Sequence, residues 1–261
     1  MKHISLRLVE GFKFTRIDSP IHQMDPRAKF VLTLGFFAAS LMFTNIYALV
    51  FIFLLQIPLV WLAKTWNSWM RSMRGGLVLG LFIFIMNFIF GTSLVLAIAF
   101  TLRFFVIMSM FSFFFMTTSA DDLGLALEQV HVPYVISFTF TTAVRLVPTM
   151  AVDAQTVVDA QRSRGLELDR GNLLKRVKNY IPILIPLIIS AIRRSVELAE
   201  ALESRAFGAT EQRTTIVSLK MKPLDYLVVM LTFLGVFVAA YVYFYLPLPT
   251  LTIPIQMPRL F

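Results

Sequence analysis

The sequence contains no cysteine, which excludes disulfides, thiol nucleophiles, thiolate metal sites and thiol redox sensing together. Charge is scarce too, with Asp, Glu, Lys and Arg making up 15% of 261 residues. Histidine occurs only at His3, His22 and His131, far apart and without the H-E-x-x-H spacing of a zinc enzyme. The adjacent acids Asp121 and Asp122 would leave a helix in different directions and would not close around a metal. No G-x-x-x-x-G-K-[ST] loop is present to cradle nucleotide phosphates, and the Gly75-Gly76 pair opens an apolar run instead. These absences argue against an enzyme and against a metal or cofactor held by the chain itself.

What the sequence has is apolar surface. Hydrophobic residues make up 57% and Phe occurs 26 times, outside the range of a soluble domain, so the chain reads as an all-α membrane protein in contact with a lipid bilayer. A net charge of +9 would suggest nucleic acid in a soluble protein. In a membrane protein Lys and Arg first mark the cytoplasmic side, so no nucleic-acid partner is expected.

Hydropathy predicts about five transmembrane helices. Phe30–Phe43 and Ile46–Leu62 form a hairpin broken at Thr44 and Asn45. A third span runs from about Gly75 to Phe90, a turn follows at Gly91–Ser93, and a fourth returns to Thr117; the fifth is Leu224–Leu246. The opening 20 residues lack the apolar core and cleavage site of a signal peptide, so no removal is expected. Lys2, Arg7, Lys13, Arg16, Arg27 and Lys29 precede the first span, and Lys64, Arg71 and Arg74 follow the second. The N-terminus is therefore expected in the cytoplasm and the C-terminal tail, whose only charge is Arg259, outside the cell membrane. Three segments result: 1–118 with four spans, a cytoplasmic helical insert at 119–222, and 223–261 with the fifth span and the tail.

The insert reads as two long amphipathic helices. One runs from Pro133 to about Arg164, kinked by Pro148, with Val147, Met150, Ala154 and Val157 on a stripe and Gly165 as its stop. The other follows "IPILIP", whose two prolines are expected to interrupt, and carries Ile188, Ile192, Val196, Ala199 and Leu202 on one face. They end in near-identical words, "DAQRSRG" and "EALESRAFG". Asp159 can reach Arg162, and Glu197 can reach Arg193 and Arg194. Arg164 and Arg205 have no acid three or four residues earlier. Each is flanked by small residues, Ser163 and Gly165 or Ser204 and Ala206, which suits a helix end entering a groove; an ordinary C-cap is the alternative. Asp25-Pro26-Arg27 reads as the start signal of the first span or as a cytoplasmic elbow tied to the insert. Arg103, halfway along the fourth span, must face the bundle interior or snorkel, and Asn87 is a candidate partner.

"MDPRAKF" before the first span, "AVRLVP" with Arg145 and Pro148, the paired "AQRSRG" and "ALESRAFG", and Arg103 in the fourth span together resemble EcfT. That is the CbiQ-like family of transmembrane components of energy-coupling factor (ECF) transporters, ABC-type importers of vitamins and some metal ions. The resemblance covers essentially the whole chain. It implies a non-catalytic coupling subunit whose partners are two cytoplasmic ATPases of the EcfA and EcfA′ type and a membrane-embedded substrate-binding S component, one or several interchangeable. ATP would be bound by the partners. Ser163-Arg164-Gly165 and Ser204-Arg205-Ala206 would end coupling helices that enter grooves of the ATPases, with Asp25, Pro26, Arg27, Arg103, Arg145 and Pro148 in structural or coupling roles. Ala206 stands where Gly is often found, with Gly208 two places on, so the second helix end is expected to shift. A permease of a conventional ABC importer is the nearer rival, because Asp159, Ala160 and Gly165 fit its Glu-Ala-Ala-x-x-x-Gly loop loosely, although a single such loop is expected there. A membrane enzyme is the remoter one, to be distinguished by activity of the isolated chain.

Overall fold

The computed structural model of the protein describes residues 19–90, 93–130, 132–166, 173–209, 219 and 221–245. The basic N-terminal segment, the Gly91-containing part of the second turn and the C-terminal tail expected outside lie beyond the described residues. Among those described there are eight helices and no strand: α1 Pro26–Met42, α2 Ile46–Leu62, α3 Trp66–Ile89, α4 Leu94–Thr117, α5 Ala120–Gln129, α6 Tyr134–Ser163, α7 Leu173–Glu203 and α8 Pro223–Tyr245. The protein is an all-α membrane protein.

Local chemistry sets most boundaries. Asp25 caps α1 by accepting from the Arg27 N–H, with Pro26 in the first helical position. Asn45 caps α2 through the Tyr47 N–H, which places the hairpin break where the Thr44-Asn45 pair interrupts the apolar run. Two helices are longer than expected. α3 begins at Trp66, not near Gly75, because Arg71 and Arg74 mark polar surroundings without breaking a helix. α7 continues through Pro182 and Pro186; these lie four residues apart on one face, so the missing N–H bonds fall on one side of an otherwise intact helix.

By length and composition α3, α4, α6 and α8 are each capable of crossing a membrane. α8 matches the expected fifth span. The 17 residues of α1 and of α2 rise only about 25 Å, short of a 30 Å hydrocarbon core. α6 was expected in the cytoplasm; its first half, through Val152, holds only one charge, Arg145, and accounts for its apolar character.

The described residues form two compact units, 19–126 with 219–245, and 127–209. In the first unit, α4 packs against α3, α1 and α2, and α8 packs against α1. The α1–α8 approach requires Gly35, since a Cβ there would collide with Thr232 Cγ2. One core cluster gathers Ile21, Val60, Trp69, Met73, Met110 and Phe113; another gathers Phe43, Ile52 and Val106. Two buried side chains bond across helices inside the unit: Trp69 Nε1 donates to Ser109 Oγ at 2.9 Å, and Gln56 Nε2 to the Val106 carbonyl at 3.3 Å. Phe51, Val78, Phe82 and Phe237 face outward, as lipid-facing side chains should. Because α8 leans on α1 and α2 lies on its other flank, an apolar groove of about 770 Å³ remains between α2 and α8, floored by Gly35, Phe36 and Ala39.

In the second unit α6 and α7 form an antiparallel pair. Asp153 and Arg194 make a 2.8 Å ion pair across it, and Gln161 Nε2 donates to the Pro182 carbonyl at 3.2 Å. Phe207, just past α7, lies 4.8 Å from the ring of Phe138 and 5.8 Å from that of Tyr134 at the start of α6. The expected pairing of Glu197 with Arg194 gives way to this cross-helix bond. Asp159 accepts from Gln155 at 2.9 Å where Arg162 was expected. A bond between two helices fixes their register, which a bond within one helix cannot do.

Candidate functional site: two matched helix ends

The two Arg-bearing ends are superposable in their bonding. At the first, Arg164 occupies the C-cap of α6; the Gly165 N–H donates to the Arg162 carbonyl at 2.9 Å and the Leu166 N–H to the Gln161 carbonyl at 3.0 Å. Gly165 has φ +87°, which completes a Schellman cap. At the second, the Ala206 N–H donates to the Glu203 carbonyl at 2.9 Å and the Phe207 N–H to the Leu202 carbonyl at 3.0 Å, with Ala206 at φ 55°. The expected shift of the second end is therefore overturned. Ala206 takes the left-handed position itself, because the paired carbonyls and the packed Phe207 ring over-determine the turn, and Gly208 makes a further left-handed residue downstream with φ +93°.

The side chains repeat the match. Ser163 Oγ donates to the Asp159 carbonyl and Ser204 Oγ to the Ala201 carbonyl, both at 3.0 Å, so each hydroxyl is folded back on its helix. That leaves Arg164 and Arg205 as the projecting groups. Both are exposed, and neither guanidinium has a partner among the described residues. Each stands at the negative end of a helix dipole, beside carbonyls already taken by the cap. Since Phe207 packs at the start of α6 and Arg164 lies at its far end, the 30 residues of α6 hold the two arginines about 45 Å apart. One arginine-binding groove could not receive both.

The other sequence-derived residues lie elsewhere. Arg145 is exposed midway along α6, three residues before Pro148, through which the helix continues; neither reaches the Arg-bearing ends. Arg103 is in the first unit, with α1–α4 and α8, and faces inward. Its Nη2 donates to the carbonyl of Phe43, the C-cap of α1, and to Thr44 Oγ1, while Phe100 lies under the guanidinium at 5.5 Å. Arg103 thus caps a neighbouring helix at the hairpin turn, a depth made available by the shortness of α1. Asn87, the candidate partner, donates to the Ile83 carbonyl within its own helix.

Asp25 does more than cap. Its N–H donates to Asp225 Oδ1 on α8 at 3.3 Å. Beside it Lys29, 1% exposed, donates from Nζ to the Thr117 carbonyl at 2.8 Å and the His22 carbonyl at 3.2 Å. Sequence reasoning misses Lys29 and Asp225. By pattern alone Lys29 is a topology marker facing water, and Asp225 an incidental charge at the edge of a span; only the helical spacing Asp25-x-x-x-Lys29 hints at a shared face. Among the described residues no three His, Asp or Glu side chains come together as a metal site would need.

The chain matches the CbiQ family, described as cobalt transport protein, over residues 18–216. It is similar to the energy-coupling factor transporter transmembrane protein EcfT of Lactococcus lactis subsp. cremoris, with 33% identity covering 81% of this chain and 89% of the relative. The EcfT of Staphylococcus aureus is 30% identical over 84% of this chain and 91% of its own length, and that of Thermotoga maritima 28% over 84% and 89%. With apolar helices built for a bilayer and a family match across most of its length, the chain belongs to the CbiQ family, among the EcfT transmembrane components of energy-coupling factor transporters.

Proposed function

We propose that the protein is the non-catalytic coupling subunit of an ECF importer of a vitamin or other micronutrient, transmitting movements of two cytoplasmic ATPase subunits to a membrane-embedded substrate-binding S component. The observation that carries this reading is the matched pair of helix ends: two identically capped arginines about 45 Å apart, without partners among the described residues, suit two separate acidic grooves. ATP is bound and hydrolysed by those partners. In this reading the N-terminus and the α6–α7 pair are cytoplasmic and the C-terminus outside. The second half of α6 and most of α7 carry Asp153, Asp159, Arg162, Arg193, Arg194, Glu197, Glu200 and Glu203, too many charges to leave in hydrocarbon. Ile181, Ile185, Ile188, Ile192 and Val196 recur at three- and four-residue spacing on α7 and are exposed, an apolar strip that suits an S component.

The chemistry of each contact follows from the geometry. A guanidinium presented at a helix end, free of competing acids, can make charge-assisted bonds to a carboxylate. When the ATPases close on ATP, the two anchored ends are drawn with them and the pair moves against the S component.

The test compares single and double substitutions in the purified complex. Arg164→Ala or Arg205→Ala costs about 2–5 kcal/mol at a desolvated contact, and the remaining anchor, now effectively intramolecular, keeps part of the complex assembled. The double variant loses the ATPases on purification. Arg162→Ala, an exposed change before the cap, retains them. A purely capping role contributes only about 0.3–1 kcal/mol, so full ATPase retention by the double variant would overturn the assignment.

A further inference from the structure

The segment between α4 and α8 leaves the first unit after Ala126 and re-enters it at Leu219. Both flanks are tied to one place, the first turn of α1. On the departing side, Lys29 Nζ takes the Thr117 carbonyl, the last residue of α4, at 2.8 Å, where a cation also meets the negative end of the α4 dipole. On the returning side, Asp225 accepts from the Lys222 N–H at 2.7 Å, a capping contact that opens α8, and from the Asp25 N–H at 3.3 Å. Lys29 and Asp225 are each 1% exposed and Asp25 is 5% exposed. The buried Lys29 ammonium thus spends its hydrogen bonds on two carbonyls, with the buried carboxylates of Asp25 and Asp225 in the same first turns of α1 and α8.

An elongated insert could be rooted in two separate points, with its flanking helices free to splay when pulled. Here the two roots are one. We propose that Lys29, Asp25 and Asp225 form a buckle that fuses the two roots of the insert, so that a load on the α6–α7 pair moves the first unit as one body without spreading α4 from α8. These are positioning residues for coupling, and the inference rests on the coupling reading above. Buried side chains bonded to backbone suit a buckle because hydrophobic packing alone would let the helix ends slide, whereas directed bonds to named carbonyls and N–H groups fix their register.

The absence of cysteine allows two reporter pairs in the complex purified with its partner subunits and embedded in lipid nanodiscs. Spin labels at Phe115 and Leu227, both outward-facing, span the roots, and labels at Thr156 and Glu200 span the α6–α7 pair. In the otherwise unchanged chain the Thr156–Glu200 distance shifts when ATP is added and the Phe115–Leu227 distribution stays narrow. In Lys29→Met combined with Asp122→Asn, which removes the tie to Thr117 without stranding an extra carboxylate, the Phe115–Leu227 distribution broadens on ATP addition. Lys29→Arg retains the narrow one. A merely structural role for Lys29 broadens it equally with and without ATP, and that result overturns the buckle, as does a narrow distribution under both conditions. Asp225→Ala removes the other tie and gives the same ATP-dependent broadening, so the question is answered even if the Lys29 double variant does not assemble. An unresponsive Thr156–Glu200 pair in the unchanged chain would count against the coupling reading, independently of what the root pair does in the variants.

Discussion

The two units of this molecule solve the burial problem in opposite ways. The first unit encloses polar groups and displays apolar ones: Lys29, Asp225 and Ser109 are buried and hydrogen-bonded, while Phe51 and Phe237 look outward. The α6–α7 unit encloses almost nothing; among its described residues only Ser137 and Ile183 are buried. Its strip from Ile181 to Val196 is left open beside a charged flank. In a bilayer, lipid can cover the apolar side chains that the first unit turns outward. The second exposes the kind of surface that a partner protein covers.

The largest expected effect tests that contrast directly. Ile188→Asp with Ile192→Asp places two charges on the open strip; under the proposed docking, an apolar partner must then desolvate them at a cost of several kcal/mol, so co-purification of an S component is expected to be lost while the yield of the chain alone is unchanged. A fall in the chain's own stability would show instead that the strip is covered from within. The reverse behaviour is expected in the first unit. Gly35→Leu drives a side chain into Thr232 and separates α1 from α8 at a cost of about 1–3 kcal/mol or more, read as a lower thermal midpoint of the isolated chain.

A smaller effect sharpens the comparison at the helix ends. Ala206→Gly relieves a left-handed alanine and raises stability by about 1 kcal/mol, and Gly165→Ala loses about as much. Equal and opposite shifts in a thermal scan would confirm that the two caps are the same structure. The smallest effect concerns pH. Burial, and then the neighbouring Lys29 charge, hold the His22 imidazole below its ordinary value of 6.5. A base whose folded-state value is depressed binds more protons when unfolded, so its contribution is intact above pH 6.5 and is lost as pH falls through the folded value. The thermal midpoint should therefore drop more steeply on acidification in the native chain than in His22→Gln.

Much of this was legible in the sequence for a physical reason: local rules act over a few residues. The Thr44-Asn45 break, the Asp25-Pro26 start and the Gly165 stop each depend on contacts within one turn, and each stands where the pattern put it. The second Arg-bearing end departs from its sequence expectation because its left-handed Ala206 is held partly by Phe207 packing on Phe138, a contact across some seventy positions of sequence. The prolines of "IPILIP" do not interrupt α7 for a related reason, since propensity counts the lost bonds but not the helix that both neighbours sustain.

Composition and periodicity by themselves determined that this is an all-α membrane protein with two amphipathic helices ending in matched arginines, because hydrophobic content, helical repeats and caps are written within short windows of chain. Tertiary structure alone decided what the charges are for. Lys29 became a buried tie and not a topology marker, Arg103 a cap on another helix, and Arg194 a cross-helix partner of Asp153. The reason is that a charge in a low-dielectric interior takes its meaning from the groups folding brings to it, and those lie tens or hundreds of residues away.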